Sequence, residues 1–192
     1  MVSAHDALLL LRNCLSASKL LYTLRSARCA GHELLQSFDD LQRSALGRIC
    51  NVSLTDDQWL QASLPVRMGG LGIRRVSSLA LSAFLASAAG TRQLQDHILS
   101  GTGVTSDVDF DQSLASRIQS APQGAAAGKQ KAWDTPVIMA EFGDLMTRYT
   151  EPRHRARLLA AAAPHSGDWL HAIPIAACGL LLNDDAVRVA VA

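Results

Sequence analysis

Apolar residues recur at steps of three and four along most of the chain, a spacing typical of amphipathic helices. No stretch has the strict alternation that indicates a half-buried strand. The pattern predicts one long helix over residues 3–28 and a second over residues 32–50, separated at Gly31, and we expect the two to pair as an antiparallel hairpin. On the first helix, the side chains expected to face inward are Leu8, Leu11, Leu15 and Tyr22, and the apolar stripe is widened by Leu10, Cys14, Leu21 and Leu24. On the second helix, they are Leu34, Phe38, Leu41, Ala45 and Ile49. The solvated face of the second helix is expected to carry Asp39, Asp40, Gln42 and Arg43.

A short third helix is predicted from the residues at its start. Thr55 and Gln58 have the spacing of a capping box, in which the threonine hydroxyl accepts from the amide of Gln58 and the glutamine side chain accepts from the amide of Thr55. Leu54 and Trp59 occupy the two positions of a hydrophobic staple. Pro65 disfavours helical geometry in the residue before it, so we expect the helix to end near residue 62.

Three glycines follow this helix at Gly69, Gly70 and Gly72. They predict a turn whose backbone adopts positive φ or lies close against a neighbouring element. A further helix is predicted over residues 74–89, with an extension to residue 99 as an alternative, and its small residues indicate close packing against another helix. This run is shorter than the roughly 20 apolar residues that a membrane span needs and contains several serines, so we expect no membrane partner.

The composition changes after residue 99 towards Gly, Thr, Ser and Asp, and residues 120–131 have the composition of a linker. Short helices are predicted over residues 110–118, 135–149 and 151–163 and after Asn183, with Pro136 and Pro152 just inside two helix starts. The sequence therefore predicts an all-α fold. Its predicted parts are a helical hairpin and short helices around the Gly-rich turn in residues 1–99, a flexible or partly helical linker in residues 100–134, and a smaller helical segment in residues 135–192.

Composition excludes several classes of protein. Of 192 residues, 48% are hydrophobic and 18% are charged, which is typical of a folded globular protein rather than a disordered one. The net charge is only +1, so charge alone does not indicate a dedicated nucleic-acid-binding domain.

The four cysteines lack zinc-ligand spacing and are predicted to be buried free thiols. The N-terminus has no signal-peptide pattern, so we expect an intracellular protein of the cytoplasm or nucleus.

No residue set predicts catalysis, a metal site or a cofactor. Asp184 and Asp185 are adjacent carboxylates that could bind a metal ion, but Asn183 as a helix cap with two acids in the first turn explains the same residues. The acids at 107, 109 and 111 lack the glycine and the glutamate of a calcium loop. The histidines form no metal-binding pair one helical turn apart.

Arg67, Arg74 and Arg75 surround the Gly-rich turn and are the candidate nucleic-acid-binding residues, because guanidinium groups bind phosphate oxygens in bidentate fashion. The alternative is that they are solvated or pair with groups at helix ends. Residues 153–157 form a second basic cluster, which a charged helix face explains equally well.

Residues 59–87, W-L-Q-A-S-L-P-V-R-M-G-G-L-G-I-R-R-V-S-S-L-A-L-S-A-F-L-A-S, resemble the segment that follows the palm in reverse transcriptases of retrotransposons lacking long terminal repeats. Residues 17–28, F-D-D-L-Q at 38–42 and S-G-D-W-L-H-A-I-P-I at 166–175 resemble other parts of the same segment. In that family the segment is a helical thumb and connection that grips the duplex of template and primer. The resemblance places the metal-binding carboxylates before this segment.

The resemblance therefore implies a fragment or decayed copy of a retroelement reverse transcriptase that lacks the palm and is inactive alone. Its expected partners are RNA or DNA duplexes, bound weakly and without sequence preference, and other parts of a retroelement polymerase. The alternative is a stand-alone helical module that binds a protein through the apolar face of the first hairpin or of residues 74–89. A third alternative is that the reading frame specifies no functional product.

Overall fold

The computed structural model describes residues 2–100, 102, 107–117 and 121–191. These residues form nine α-helices and no strand, so the predicted all-α fold class is confirmed. The helices are α1 (Ala4–Asn13), α2 (Leu21–Ser26), α3 (Glu33–Cys50), α4 (Asp56–Ser63), α5 (Val76–Leu99), α6 (Val108–Ala115), α7 (Gln130–Arg148), α8 (Pro152–Ala161) and α9 (Asp184–Val191). Among the described residues, no helix combines the length and the apolar character needed to cross a bilayer.

The predicted first helix is in fact two helices. After α1, the amides of Cys14 and Leu15 both donate to the carbonyl of Leu10, which ends the helix, and a 3-10 turn at Ala17–Lys19 leads into α2. This break changes which side chains face inward. Tyr22, predicted to be buried, is 84% exposed, while Leu24 is completely buried.

Helix α3 has the predicted bounds to within one residue, but the prediction of its buried face was only partly correct. Phe38, Ala45 and Ile49 are partly buried against apolar clusters, as predicted. Leu34 and Leu41 are 65% and 68% exposed. The buried side chains lie about a quarter of a turn further round the helix, and they include two residues that were assigned to the solvated face. The buried set is Leu35, Asp39, Gln42, Leu46 and Cys50.

Helix α4 begins as predicted. The Thr55 hydroxyl accepts from the Gln58 amide at 3.2 Å, and the Gln58 side chain accepts from the Thr55 amide at 2.9 Å, so the capping box is confirmed. Trp59 is buried, and Leu54 packs on the same apolar cluster. The helix ends at Ser63, two residues before Pro65.

Helix α5 continues to Leu99, the longer of the two predicted alternatives. Helix α7 begins at Gln130, five residues before its predicted start, so Pro136 lies inside the helix rather than in its first turn. Helix α8 has Pro152 as its first residue, as predicted.

Before α9, the Asn183 side chain accepts from the amide of Ala186 at 2.7 Å, which confirms the predicted cap. Residues 118 and 120, which bound the predicted helix 110–118 and the predicted linker, lie outside the described residues.

Four apolar clusters connect these helices. One joins α1, α3, α4 and α9 around Leu46 and Trp59, and a second joins α2, α3 and α5 around Leu24. A third joins α4 to α7 and α8 around Leu64, and a fourth packs α5 against α6 and Trp133 of α7. The helices after residue 134 therefore pack directly on those before residue 100.

Candidate nucleic-acid interface

The Gly-rich turn folds back on the end of α4. After a 3-10 turn at Val66–Met68, the amide of Leu71 donates to the carbonyl of Ala62 at 3.0 Å, and the amide of Gly72 donates to that of Leu64 at 2.9 Å. Gly69 and Gly72 have positive φ values of 79° and 75°, which side-chain-bearing residues rarely adopt. The chain thus reverses direction tightly between α4 and α5.

Close approach is the second role of these glycines. A Cβ on Gly70 would lie 2.1 Å from the carbonyl oxygen of Leu64, and a Cβ on Gly69 would lie 2.8 Å from that of Leu158 in α8. Gln61 of α4 donates to the carbonyl of Gly69 at 3.2 Å and accepts from the Tyr149 hydroxyl at 2.9 Å. The turn is therefore held between α4, α8 and the end of α7.

The structure places Arg74 and Arg75 in a network of ion pairs with α7. Arg74 contacts Asp134 at 2.7 Å and Glu141 at 3.4 Å, and Arg75 contacts Glu141 at 2.5 Å. The Arg74 and Arg75 side chains are 14% and 27% exposed, and both carboxylate side chains are 13% exposed. Burial raises the pKa of Asp134, and this effect outweighs the attraction of Arg74, which lowers it. The two arginines and two carboxylates balance in charge and join the start of α5 to α7.

Sequence reasoning missed Asp39, the residue that holds the start of α5. Asp39 is completely buried on α3 and accepts from the amide of Val76 at 2.7 Å and from that of Ser77 at 3.1 Å, and the Ser77 hydroxyl also donates to it. Burial raises the pKa of Asp39, against the lowering effects of these hydrogen bonds and of the Arg75 charge. A signal was present in the sequence: the residue before α5 is Arg75, which provides no side-chain cap, so the first amides of α5 need an acceptor from elsewhere.

Arg67 differs from the other two candidate arginines because it is exposed. It lies in the 3-10 turn between Val66 and Met68, and Met68 packs on the cluster that contains Leu158 of α8. Within the described part of the chain, Arg67 takes part in no salt bridge. Of the three predicted residues, Arg67 is therefore the one available to a ligand in solution.

The second basic cluster lies on α8. Arg153, His154, Arg155 and Arg157 are all exposed. Arg155 has a structural contact, since its Nε donates to the carbonyls of Tyr149 at 2.7 Å and Met146 at 3.1 Å near the end of α7. His154 lies against the Tyr149 ring, with the two ring centroids 5.5 Å apart.

The carboxylates considered as metal ligands have structural contacts. Asp184 accepts from the amide of Ala4 at 2.8 Å, Asp185 pairs with Arg188, and Asp107 caps α6 by accepting from the amide of Phe110 at 3.0 Å. The described residues contain no cluster of three or more His, Cys, Asp or Glu side chains placed to hold a metal ion.

The prediction that all four cysteines are buried was wrong for two of them. Cys50 is buried, whereas Cys14 and Cys178 are exposed and Cys29 is intermediate. Cys14 lies just past the end of α1 and Cys178 lies in a surface 3-10 turn, so neither belongs to an apolar cluster.

Comparisons of the chain with protein-family models, with curated protein sequences and with solved structures find no match.

Proposed function

We propose that this chain is a thumb-like fragment or decayed copy of a retroelement reverse transcriptase, inactive alone, that binds RNA or DNA duplexes weakly and without sequence preference. The residues in 59–87 that resemble such polymerases support this proposal. The observation that carries it is the exposed Arg67 on a turn that α4, α7 and α8 hold in place. Because the backbone of the turn is held in place, only the Arg67 side chain loses conformational entropy when it binds a phosphate.

Arg74 and Arg75 have a supporting role in this proposal. Because Asp134 and Glu141 already neutralise them, they contribute little to phosphate binding. Instead, they fix the start of α5 to α7, and so they hold the adjoining turn in the orientation that exposes Arg67.

Nucleotide transfer is not assigned to this chain. Reverse transcription requires two metal ions held by carboxylates, which stabilise the attacking and leaving oxygens. The resemblance places those carboxylates in a palm that precedes this segment. The proposed contribution of this chain is therefore contact with the phosphate backbone.

Fluorescence anisotropy with a labelled primer and template duplex tests this proposal. The contact of Arg67 with one phosphate predicts by itself that affinity falls roughly 3.5-fold between 50 and 200 mM salt. A duplex of scrambled sequence is expected to bind equally well. Absence of salt-sensitive binding refutes the proposed binding, and extension of the primer in the presence of Mg²⁺ refutes the proposed inactivity.

Arg67→Ala tests the residue, with Arg48→Ala on α3 as a control that removes another exposed arginine. We expect Arg67→Ala to reduce the slope of log affinity against log salt by about 1. A reduction of the same size in both variants would mean that net charge, rather than the turn, determines binding.

A second candidate function is binding of a protein partner through α3. Leu34 and Leu41 are seven residues apart, lie on the same face and are mostly exposed. The apolar face of residues 74–89, the other surface considered, is buried by α2, α3 and α7. Sedimentation of the wild type and of a Leu34→Gln, Leu41→Gln variant distinguishes the functions: self-association that the variant loses, without salt-sensitive duplex binding, favours the interaction module.

A further inference from the structure

One face of α3 is exposed along the length of the helix. Leu34 and Leu41 are 65% and 68% exposed, and Ser37, Ser44 and Arg48 are exposed as well. These five residues follow one another at alternating steps of three and four, so they lie along one side of the helix, and we call them the α3 seam. Leucines separated by small side chains at this heptad spacing are suited to packing against another helix.

The two ends of the α3 seam carry opposite charges. Glu33 lies in the first turn of α3 and Arg48 lies in the last turn. Both side chains are exposed, and among the described residues neither takes part in a salt bridge or a side-chain hydrogen bond. Because the two residues are separated by about 22 Å along the helix axis, they cannot pair within one copy of the chain. Each charge is therefore available to an opposite charge on another molecule.

A groove lies beside Arg48 at the end of α3. The chain after the helix folds back against it at Gly47, where a Cβ would lie 2.8 Å from the carbonyl oxygen of Val52. The groove between the helix and residues 51–54 has a volume of about 520 Å³, and its polar lining residues are Asp40, Arg43, Ser44, Arg48, Asn51 and Ser53. Arg43 already pairs with Asp56 at 2.8 Å. The groove thus has room for an acidic side chain that pairs with Arg48.

We propose that α3 pairs in antiparallel orientation with α3 of a second copy of this chain, about a two-fold axis near Leu41. In this dimer Glu33 of each copy lies opposite Arg48 of the other, beside the groove, and the leucines of the two seams pack together. A two-fold interface uses the same surface on both copies, and reversal of the helix brings the acidic end of this surface to the basic end. A parallel pair would instead bring like charges together at both ends.

The dimer gives a partner to the α3 surface described as the second candidate function, and the inference rests on that function. It does not depend on duplex binding. The antiparallel direction also places the positive end of each helix dipole beside the negative end of the other. Two single helices bury a small area, so we expect the dimer to form only at micromolar concentrations or above.

Exchange of the two charges tests the register of the dimer. Glu33→Lys and Arg48→Glu each replace two attractive pairs by two repulsive ones, so we expect either variant to raise the dissociation constant about tenfold in sedimentation equilibrium. The double variant again has opposite charges across the axis and should dimerise like the wild type. Lys131→Glu makes the same charge change at an exposed position on α7 and should leave the dissociation constant unchanged. A double variant as weak as the single ones would refute the pairing.

Oxidative cross-linking determines the direction of the helices without a change of charge. The thiol introduced by Leu41→Cys lies near the axis, within disulfide distance of its counterpart, whereas the thiol introduced by Leu34→Cys lies about 20 Å from its counterpart along the helices. Cys14→Ser and Cys178→Ser remove the two exposed native thiols. In that background, we expect oxidation to cross-link Leu41→Cys and not Leu34→Cys. Equal cross-linking of both variants would indicate parallel helices and refute the inference.

The outcomes for the dimer and for duplex binding are distinct. A chain that stays monomeric at all concentrations in sedimentation refutes the dimer, while salt-sensitive anisotropy of the duplex still supports the proposed function. Absence of duplex binding together with a dimer that depends on Glu33 and Arg48 refutes the proposed binding and supports the inference.

Discussion

Replacement of Gly70 by alanine tests how tightly the Gly-rich turn packs on α4. A Cβ at this position would lie 2.1 Å from the carbonyl oxygen of Leu64 and 2.5 Å from that of Gln61. Both oxygens belong to the backbone at the end of α4, so neither can rotate away as a side chain would. Gly70 is not among the glycines with positive φ, so the expected cost is steric rather than conformational.

The magnitude follows from the contacts that the turn would lose by moving away from α4. Two backbone hydrogen bonds, from Leu71 to Ala62 and from Gly72 to Leu64, contribute about 0.5–1.5 kcal/mol each. Overpacking beside Leu64, which is completely buried, adds about 1–3 kcal/mol. We therefore expect Gly70→Ala to lower the free energy of unfolding by about 2–6 kcal/mol, a large part of the stability of a typical domain.

Two other glycine substitutions provide matched controls. Gly72 has φ of 75° but its nearest neighbour is a side-chain atom of Val66 at 3.5 Å, so Gly72→Ala should cost only the conformational penalty of about 1–2 kcal/mol. Gly143 lies inside α7, and the Cβ of an alanine at this position would have no neighbouring atom within 4 Å. Gly143→Ala should therefore stabilise the protein by about 0.5–1 kcal/mol. Urea unfolding followed by tryptophan fluorescence measures all three. A Gly70→Ala variant no less stable than Gly72→Ala would contradict the close approach of the turn to α4.

Three further predictions concern buried polar groups. Asp39→Ala should lower the free energy of unfolding by about 2–5 kcal/mol, because the buried amide of Val76 and the partly buried amide of Ser77 lose their acceptor. Asp40→Ala, on the exposed side of α3, should change the free energy of unfolding by less than about 0.5 kcal/mol, and chemical denaturation measures both. Gln42→Met should raise the thermal midpoint and stabilise the protein by about 1 kcal/mol, since neither polar atom of this buried amide has a hydrogen-bond partner among the described residues. Burial raises the pKa of Cys50 to about 11, so its thiol stays protonated at pH 8 and should react with iodoacetamide only when the protein unfolds. The exposed Cys178 should react with iodoacetamide at once. Mass spectrometry of the labelled protein identifies the order of labelling, and early labelling of Cys50 would contradict its burial.

Signals that act over a few residues allowed accurate prediction from the sequence. The capping box at Thr55 and Gln58, the cap at Asn183 and the helix end before Pro65 all depend on groups within four residues of one another. The bounds of α3 and the all-α class follow equally from local periodicity, because each turn of a helix forms its own hydrogen bonds.

Caps, prolines and periodicity act locally, so the bounds of α3, α4 and α8 could be predicted to within two residues. The buried face of α3 and the exposure of each arginine depend on how whole helices pack against one another. On the buried face of α3, Asp39 accepts from the first amide of α5, whereas Leu34 on the neighbouring face is exposed. In the same way, acids 60 residues or more beyond Arg74 reach it only because α7 packs on α5. Pairing between groups that are distant along the chain has no local pattern, since it arises from the packing of whole helices.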